Sequence, residues 1–451
     1  MKWNSIVSIL ILSLSIVSCG KKVTESTKAP QTQEQVGVIA SCTTKAQAQS
    51  LASELGIQFR VINENRKLIE FIGAKLSELK KQLPNAKFKA NKIYEPILIS
   101  GDFQASSISD TEYYGAHTRQ ERPSSVTRYF PHLQQINALN LSAQGEGVTI
   151  AIVDTGVYYN HPHLSPNIKK NQDDKHGQLA NSIDDDQNGY INDYVGWDFY
   201  NGDAYPIDDN GHGTHVAGLA ASTYMGVAPR AKILPVKVLS ADGQGDLGTI
   251  AAGILYAIDQ GADIINLSLG GNAGDEITAE LQEIINSVAL AKSNNSLIIA
   301  AAGNGGMDGI GDCNDNLPIY PANIQQDNIL SIASVDSYNQ LTSYSNFGGT
   351  TVHIAAPGGD QSNGGLNSTG LPYCYGPCSD DDIPYRASMG TSMATPVVAG
   401  VAAVIKSAKL SLTYKEIKDL ILNNGTKKEN LVGMVKSSSV VNTLEALNSI
   451  D

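Results

Sequence analysis

Aromatic residues are scarce in this chain of 451: two Trp, seven Phe and 19 Tyr make up 6% of it. Charged side chains are also few, at 17%, and residues 1–100 contain no Asp. After residue 17 no apolar run is long enough to suggest a membrane span. There is no internal repeat, no Cys/His spacing of the zinc kind and no basic cluster that would argue for nucleic acid as a partner. A 41% hydrophobic content in a chain of this length instead gives an ample core, divided among two to three units.

The charge is uneven. The net charge is −13. Residues 1–100 hold 14 Lys/Arg against 7 Glu, a balance of +7, and the remainder therefore carries −20. A basic front and an acidic body attract one another, as an inhibitory segment and its enzyme would. The first residues read as a targeting segment: Lys2, then an apolar run from Ile6 to Val17, ending Leu14-Ser-Ile-Val-Ser-Cys19-Gly20. A Cys at that point resembles the bacterial lipoprotein signal, in which the Cys carries the lipid. Plain secretion is the alternative. On this reading residues 1–18 are the signal, and 19–34 are the lipidated Cys19 with a polar tether.

Four short segments carry the chemistry. Ile150-Ala-Ile-Val-Asp154-Thr-Gly156 places a carboxylate at the end of an apolar, β-branched strand, where open α/β sheets put their sites. Asn210-Gly-His212-Gly-Thr-His215 opens a small-residue helix with an imidazole. Ala301-Ala-Gly-Asn304 ends another strand with a carboxamide. Gly390-Thr-Ser392-Met-Ala-Thr-Pro396 opens a second buried helix with a hydroxyl, and Pro396 is tolerable there if it lies in the first turn. A serine is a poor nucleophile until an imidazole takes its proton, and a carboxylate fixes that imidazole's tautomer. The oxyanion that follows needs preplaced donors, which a carboxamide and a helix N-terminus supply.

These segments, in this order, resemble the subtilisin-like serine proteases (subtilases) from about residue 129 to the C-terminus. The resemblance implies a triad of Asp154, His212 and Ser392, with Asn304 and the Ser392 amide as oxyanion hole, acting on polypeptides through an acyl-enzyme. It also implies that Ser268, Leu269, Gly270 and Gly271 form an edge on which substrate backbone pairs, and that Ile319 lies near the floor of the pocket preceding the cut bond, a bulky uncharged floor ill suited to a basic side chain. His215 falls where the family keeps a structural histidine. Two rival readings remain: a catalytically silent surface-binding protein that kept the fold, and a metallohydrolase using His212 and His215, which share a helix face at i and i+3.

The rest of the chain is organised around this core. Residues 35–97 show a βαββαβ pattern: strands 35–40, 57–62, 67–72 and 87–93, with helices 45–55 and 74–83. That order resembles the inhibitory propeptide of subtilases. Residues 98–128, rich in Ser, Asp, Thr and Gly, suit a processing linker, and 129–451 form the catalytic domain. Its strands alternate with helices, the pattern of an α/β, doubly wound, mostly parallel sheet with helices on both faces. The order anchor, propeptide, linker, protease suggests a lipid-anchored precursor at the cell envelope that frees a monomeric enzyme when cut. Asp184-Asp-Asp186-Gln-Asn188-Gly-Tyr190-Ile-Asn-Asp193 sets oxygen ligands at alternate positions before a turn glycine, as calcium requires. The loop begins like an EF-hand but has Val195 at its twelfth position; its expected ligands are Asp184, Asp186, Asn188, the Tyr190 carbonyl and Asp193. Export permits disulfides, and Cys313, Cys374 and Cys378 leave the pairing open.

Overall fold

The computed structural model describes residues 38–41, 45–55, 58–63, 68–72, 87–90, 93–96, 130–171, 184–272, 279–306, 309–360, 364–372 and 385–450. The signal segment, tether and processing linker lie outside the described residues, as do Cys42, Cys374, Cys378 and the helix expected at 74–83.

The N-terminal strands β1 (Val38–Ser41), β2 (Gln58–Asn63), β3 (Leu68–Ile72) and β4 (Lys87–Ala90) form an antiparallel sheet in the order β2-β3-β1-β4. Helix α1 (Lys45–Leu55) buries Ala48, Leu51 and Ala52, one stripe at i, i+3 and i+4. The strand expected over 87–93 is divided. Its continuation, β5 (Ile93–Pro96), leaves this sheet because its backbone finds partners elsewhere.

From residue 130 the chain builds a nine-stranded sheet. Its strands are β6 (Thr149–Asp154), β7 (Trp197–Asp198), β8 (Lys232–Lys237), β10 (Ile264–Leu267), β12 (Leu297–Ala301), β14 (Ile329–Val335), β15 (Ile354–Pro357), β18 (Thr426–Lys427) and β19 (Ser439–Val440). The order is β18-β19-β15-β14-β12-β10-β6-β8-β7, parallel throughout except for β18 at one edge. Alternate side chains feed opposite faces, as a pleated strand requires. Ile150 and Ile152 of β6 join Leu297 and Ile299 of β12 in one core, while Ala151 and Val153 join Ile298 and Ala300 in the other.

Helices α3 (His212–Ala221) and α6 (Thr391–Ala408) cover the first face; α4 (Leu247–Asp259) and α5 (Ala279–Ser293) cover the second. The expected α/β sheet, covered on both sides, is what forms. Helix α2 (Pro131–Gln135), α7 (Tyr414–Asn423) and α8 (Thr443–Asn448) complete the first face. α6 is long and apolar enough to cross a membrane, but it is buried at the centre of the core. Helix α8 begins only at Thr443, because Ser439 and Val440 before it pair with β18 and β15 as β19.

Short strands complete the cleft region: β9 (Gly245–Asp246), β11 (Leu269–Asn272), β13 (Ile319–Tyr320) and the hairpin β16 (Leu366–Thr369) with β17 (Tyr385–Ser388). The chain leaves the main sheet at Ser268, after β10, and β11 joins a second sheet.

Candidate active site

Asp154 is the last residue of β6, beside Lys237 of β8, and is fully buried. Its Oδ1 accepts from the Thr155 amide at 2.7 Å and lies 2.6 Å from His212 Nδ1. His212 is the first residue of α3, capped by Gly211 in the left-handed region at φ 102°. Helix and strand approach closely here: a Cβ on Gly213 would stand 2.1 Å from the Gly156 carbonyl, so only glycine fits. The contact holds the imidazole against the carboxylate, 58 residues away in sequence.

Asp208 ties these two elements together. Its Oδ1 accepts from Thr155 Oγ1 and from the Asn210 and Gly211 amides; its Oδ2 accepts from the Thr214 amide and Oγ1. Thr155 Oγ1 in turn accepts from the Gly213 amide. Burial pushes the Asp208 carboxyl above the usual carboxylate range, against these hydrogen bonds. Lys237, also buried, donates to the Thr155 and Leu239 carbonyls and to Asp209. Sequence reading missed both residues, although two acids just before a His-bearing helix are a signal for such a brace.

Ser392 is the second residue of α6 and fully buried. Gly390, with φ 151°, turns the chain into the helix. The Ser392 amide falls among the first N–H groups of the helix, at the positive end of its dipole. Asn304 follows β12 by a Gly303 turn, and its Oδ1 accepts from the Thr391 amide at 2.9 Å and from Thr391 Oγ1 at 3.0 Å. His212 Nε2 is buried with no hydrogen-bond partner among the described residues, and Ser392 Oγ donates to the Ser268 carbonyl at 3.1 Å. The helix starts one residue before Ser392, so Pro396 stands sixth, past the first turn where sequence reading put it. The Ser392 carbonyl, which a proline there cannot serve, accepts instead from Ser268 Oγ.

The expected substrate edge is β11, which contains Leu269, Gly270 and Gly271, with Ser268 directly before it. β11 lies in a four-stranded sheet ordered β13-β11-β5-β9. Strand β5 pairs antiparallel with β11, Leu269 opposite Pro96 and Gly270 opposite Glu95, and antiparallel with β9, Ile93 opposite Asp246 and Tyr94 opposite Gly245. An extended segment of the chain's own N-terminal part is thus held on both edges. Ile319, half-buried in β13, pairs with Asn272 on the far side of β11. Gly245 and Asp246 went unrecognised in sequence; the turn-rich run Ala241-Asp-Gly-Gln-Gly-Asp246 was the available signal.

His215 is not a ligand partner for His212. Its Nε2 is bonded to the Leu366 carbonyl, and burial drives its pKa down to about 4. In the acidic loop, Asp184 accepts from the Asn188 and Gly189 amides. Asn171 Nδ2 and Asn188 Nδ2 bridge Asp186 to Asp193, and Asp193 also accepts from Tyr256 and Gln260. Burial pushes Asp193 up to about 6, with the Asp186 charge adding to it. The Tyr190 amide is fixed on Asn188 Oδ1, and its ring packs on Trp197, Phe199 and Tyr256. Among the described residues no three His, Cys, Asp or Glu side chains converge as metal ligands. The donor chemistry nevertheless fits a hard cation: oxygen-bearing side chains, and a buried carboxylate, Asp193, lacking a counter-charge among the described residues. Cys313 has no disulfide partner among the described residues, and Cys374 and Cys378 lie outside them.

The comparisons agree with this geometry. Residues 115–438 match the subtilase family (peptidase S8). Thermitase of Thermoactinomyces vulgaris is 38% identical over 63% of this chain and 85% of its own length. Subtilisin BL of Lederbergia lenta is 33% identical over 70% of this chain and 96% of its own. A crystal structure of a cold-adapted subtilisin-like serine proteinase superposes with a TM-score of 0.52 at 27% identity, covering 67% of this chain and 91% of that one. By sequence and by fold, the chain belongs to the subtilase family and is a serine endopeptidase.

Proposed function

We propose that Asp154, His212 and Ser392 are the catalytic triad, with Asn304 Nδ2 and the Ser392 amide as the oxyanion hole. The observation that carries this is the 2.6 Å contact of His212 Nδ1 with buried Asp154, in a site where Asn304 is held by the residue preceding Ser392. A peptide laid along β11 as an added strand offers its carbonyl to Ser392 Oγ. As the C–O bond forms, the hydroxyl proton passes to His212 Nε2, and Asp154 stabilises the imidazolium. The carbonyl electron pair moves onto oxygen, where the Asn304 and Ser392 N–H groups take up the charge. Collapse breaks the C–N bond, the amine leaves with the His212 proton, and water then repeats the cycle on the acyl-enzyme. A fluorophosphonate probe should form one adduct, on Ser392. No adduct on folded, processed protein would favour the silent binding reading instead.

Residues 35–97 act as an intramolecular inhibitor, supported by β5 lying between β11 and β9 and by the opposite charges of the two parts. Cleavage within 98–128 then frees the enzyme from lipid on Cys19 in the same event. Amino-terminal sequencing of the released form, with palmitate labelling of the precursor, tests both; an active enzyme that remains acylated in the membrane would contradict release. Calcium held by Asp184, Asp186, Asn188, the Tyr190 carbonyl and Asp193 would supply positive charge beside the buried Asp193 and stabilise the fold by mass action. EGTA should lower Tm and speed autolysis, and Asp184→Asn should remove that sensitivity. Indifference of the wild type to EGTA would contradict the site.

A further inference from the structure

Ser268 precedes the substrate edge, yet its side chain faces away from solvent, fully buried. Ser268 Oγ donates to the Ser392 carbonyl at 2.8 Å, and Asn266 Nδ2 donates to Ser268 Oγ at 3.0 Å. Asn266 is fully buried too, the third residue of β10. The need for the first bond is written in the sequence. In α6 the carbonyl of Ser392 looks four residues on for its helical N–H, to Pro396, which has none. A buried carbonyl without a donor is costly, and here it belongs to the nucleophile's own peptide. Meanwhile Ser392 Oγ donates to the Ser268 carbonyl at 3.1 Å, so the two serines clasp each other, each hydroxyl on the other's backbone.

We infer that the Ser268 hydroxyl is a positioning residue for catalysis: it replaces the helical donor that Pro396 lacks and so fixes the Ser392 backbone. Asn266 sets its direction. By donating to Ser268 Oγ, the carboxamide leaves the hydroxyl proton to point at Ser392. The nucleophile's residue is then held on both sides, through Thr391 by Asn304 and through its carbonyl by Ser268. This role belongs to the Ser268 side chain, separate from the backbone pairing proposed for the β11 edge, and it rests on Ser392 being the nucleophile.

A double-mutant cycle in the full-length, self-processed enzyme tests it. Ser268→Ala should lower kcat about tenfold, the effect of one buried hydrogen bond, while KM stays within about twofold. Pro396→Ala supplies an N–H at the position the Ser392 carbonyl needs, so adding Ser268→Ala to that background should cost much less kcat. An equal loss in both backgrounds, or a rise in KM with kcat unchanged, would overturn the proposal. Should Ser268→Ala not accumulate as folded enzyme, Ser268→Cys keeps a weaker donor. It should then give an intermediate kcat, again less affected in the Pro396→Ala background; a wild-type kcat would count against the role. Fluorophosphonate labelling of each variant separates the two claims: an adduct on Ser392 with unaltered kcat sinks only the clasp, whereas no adduct in the parent enzyme sinks the nucleophile.

Discussion

Asn304 is held by its oxygen, and in the oxyanion hole we propose that is what makes its amide useful. The Thr391 amide and hydroxyl both donate to Oδ1, so the Nδ2 donors are fixed in direction before charge develops. Asn304→Leu should therefore reduce kcat by about 100- to 1,000-fold with little change in KM. Steady-state kinetics on a peptide anilide would show it, and a loss confined to KM would contradict the assignment. Asp154, His212, Asn304 and Ser392 could be singled out in sequence because each sits in a short motif of fixed local geometry, and the structure brings Asp154 and His212 together. Their supports could not be singled out. Asp208, Lys237 and Asn266 act through contacts with residues remote along the chain, and composition carries no trace of those. Pro396 shows the same limit: a rule about single helices put it in the first turn, while Ser268, between β10 and β11, removes the need.

Among elements, the parallel strands announce themselves through β-branched runs buried on both faces, and the helices between them through small-residue stripes. Two-residue strands such as β9 and β13 do not, since their pairing depends on which segment lies alongside. The hairpin β16–β17 was missed for the same reason: β16 is held by α3, where Ser368 and Thr369 donate to the His215 and Thr214 carbonyls. Two buried histidines, His215 in α3 and His353 just before β15, set a dependence on pH. Burial lowers the pKa of His215 to about 4 and of His353 to about 3. In the unfolded chain both titrate near 6.5, so below that pH the unfolded state binds protons that the native state refuses. Stability is full above about pH 6.5 and falls as pH drops toward 4, each histidine contributing a slope of up to about 1.4 kcal/mol per pH unit. Thermal melts between pH 7.5 and 5 should show a falling Tm, and His353→Gln should make the fall shallower. An identical slope in the variant would contradict this account.

At the scale of the whole molecule, a basic front of +7 precedes an acidic body of −20 in the sequence, and strand β5 pairs with β11, the substrate edge we propose, and with β9. The charge division was visible in sequence, as were strands β1 to β4 and helix α1. The division of the last strand into β4 and β5 was not, because a strand's partner is chosen by the rest of the fold. If that arrangement is a zymogen, its own nucleophile must open it. The most direct measurement is therefore full-length Ser392→Ala, expressed beside the wild type and followed for self-cleavage and casein digestion. The account predicts that the variant folds, keeps its N-terminal part attached and digests casein at least about 10,000-fold more slowly. Processing and digestion at the wild-type rate would contradict it.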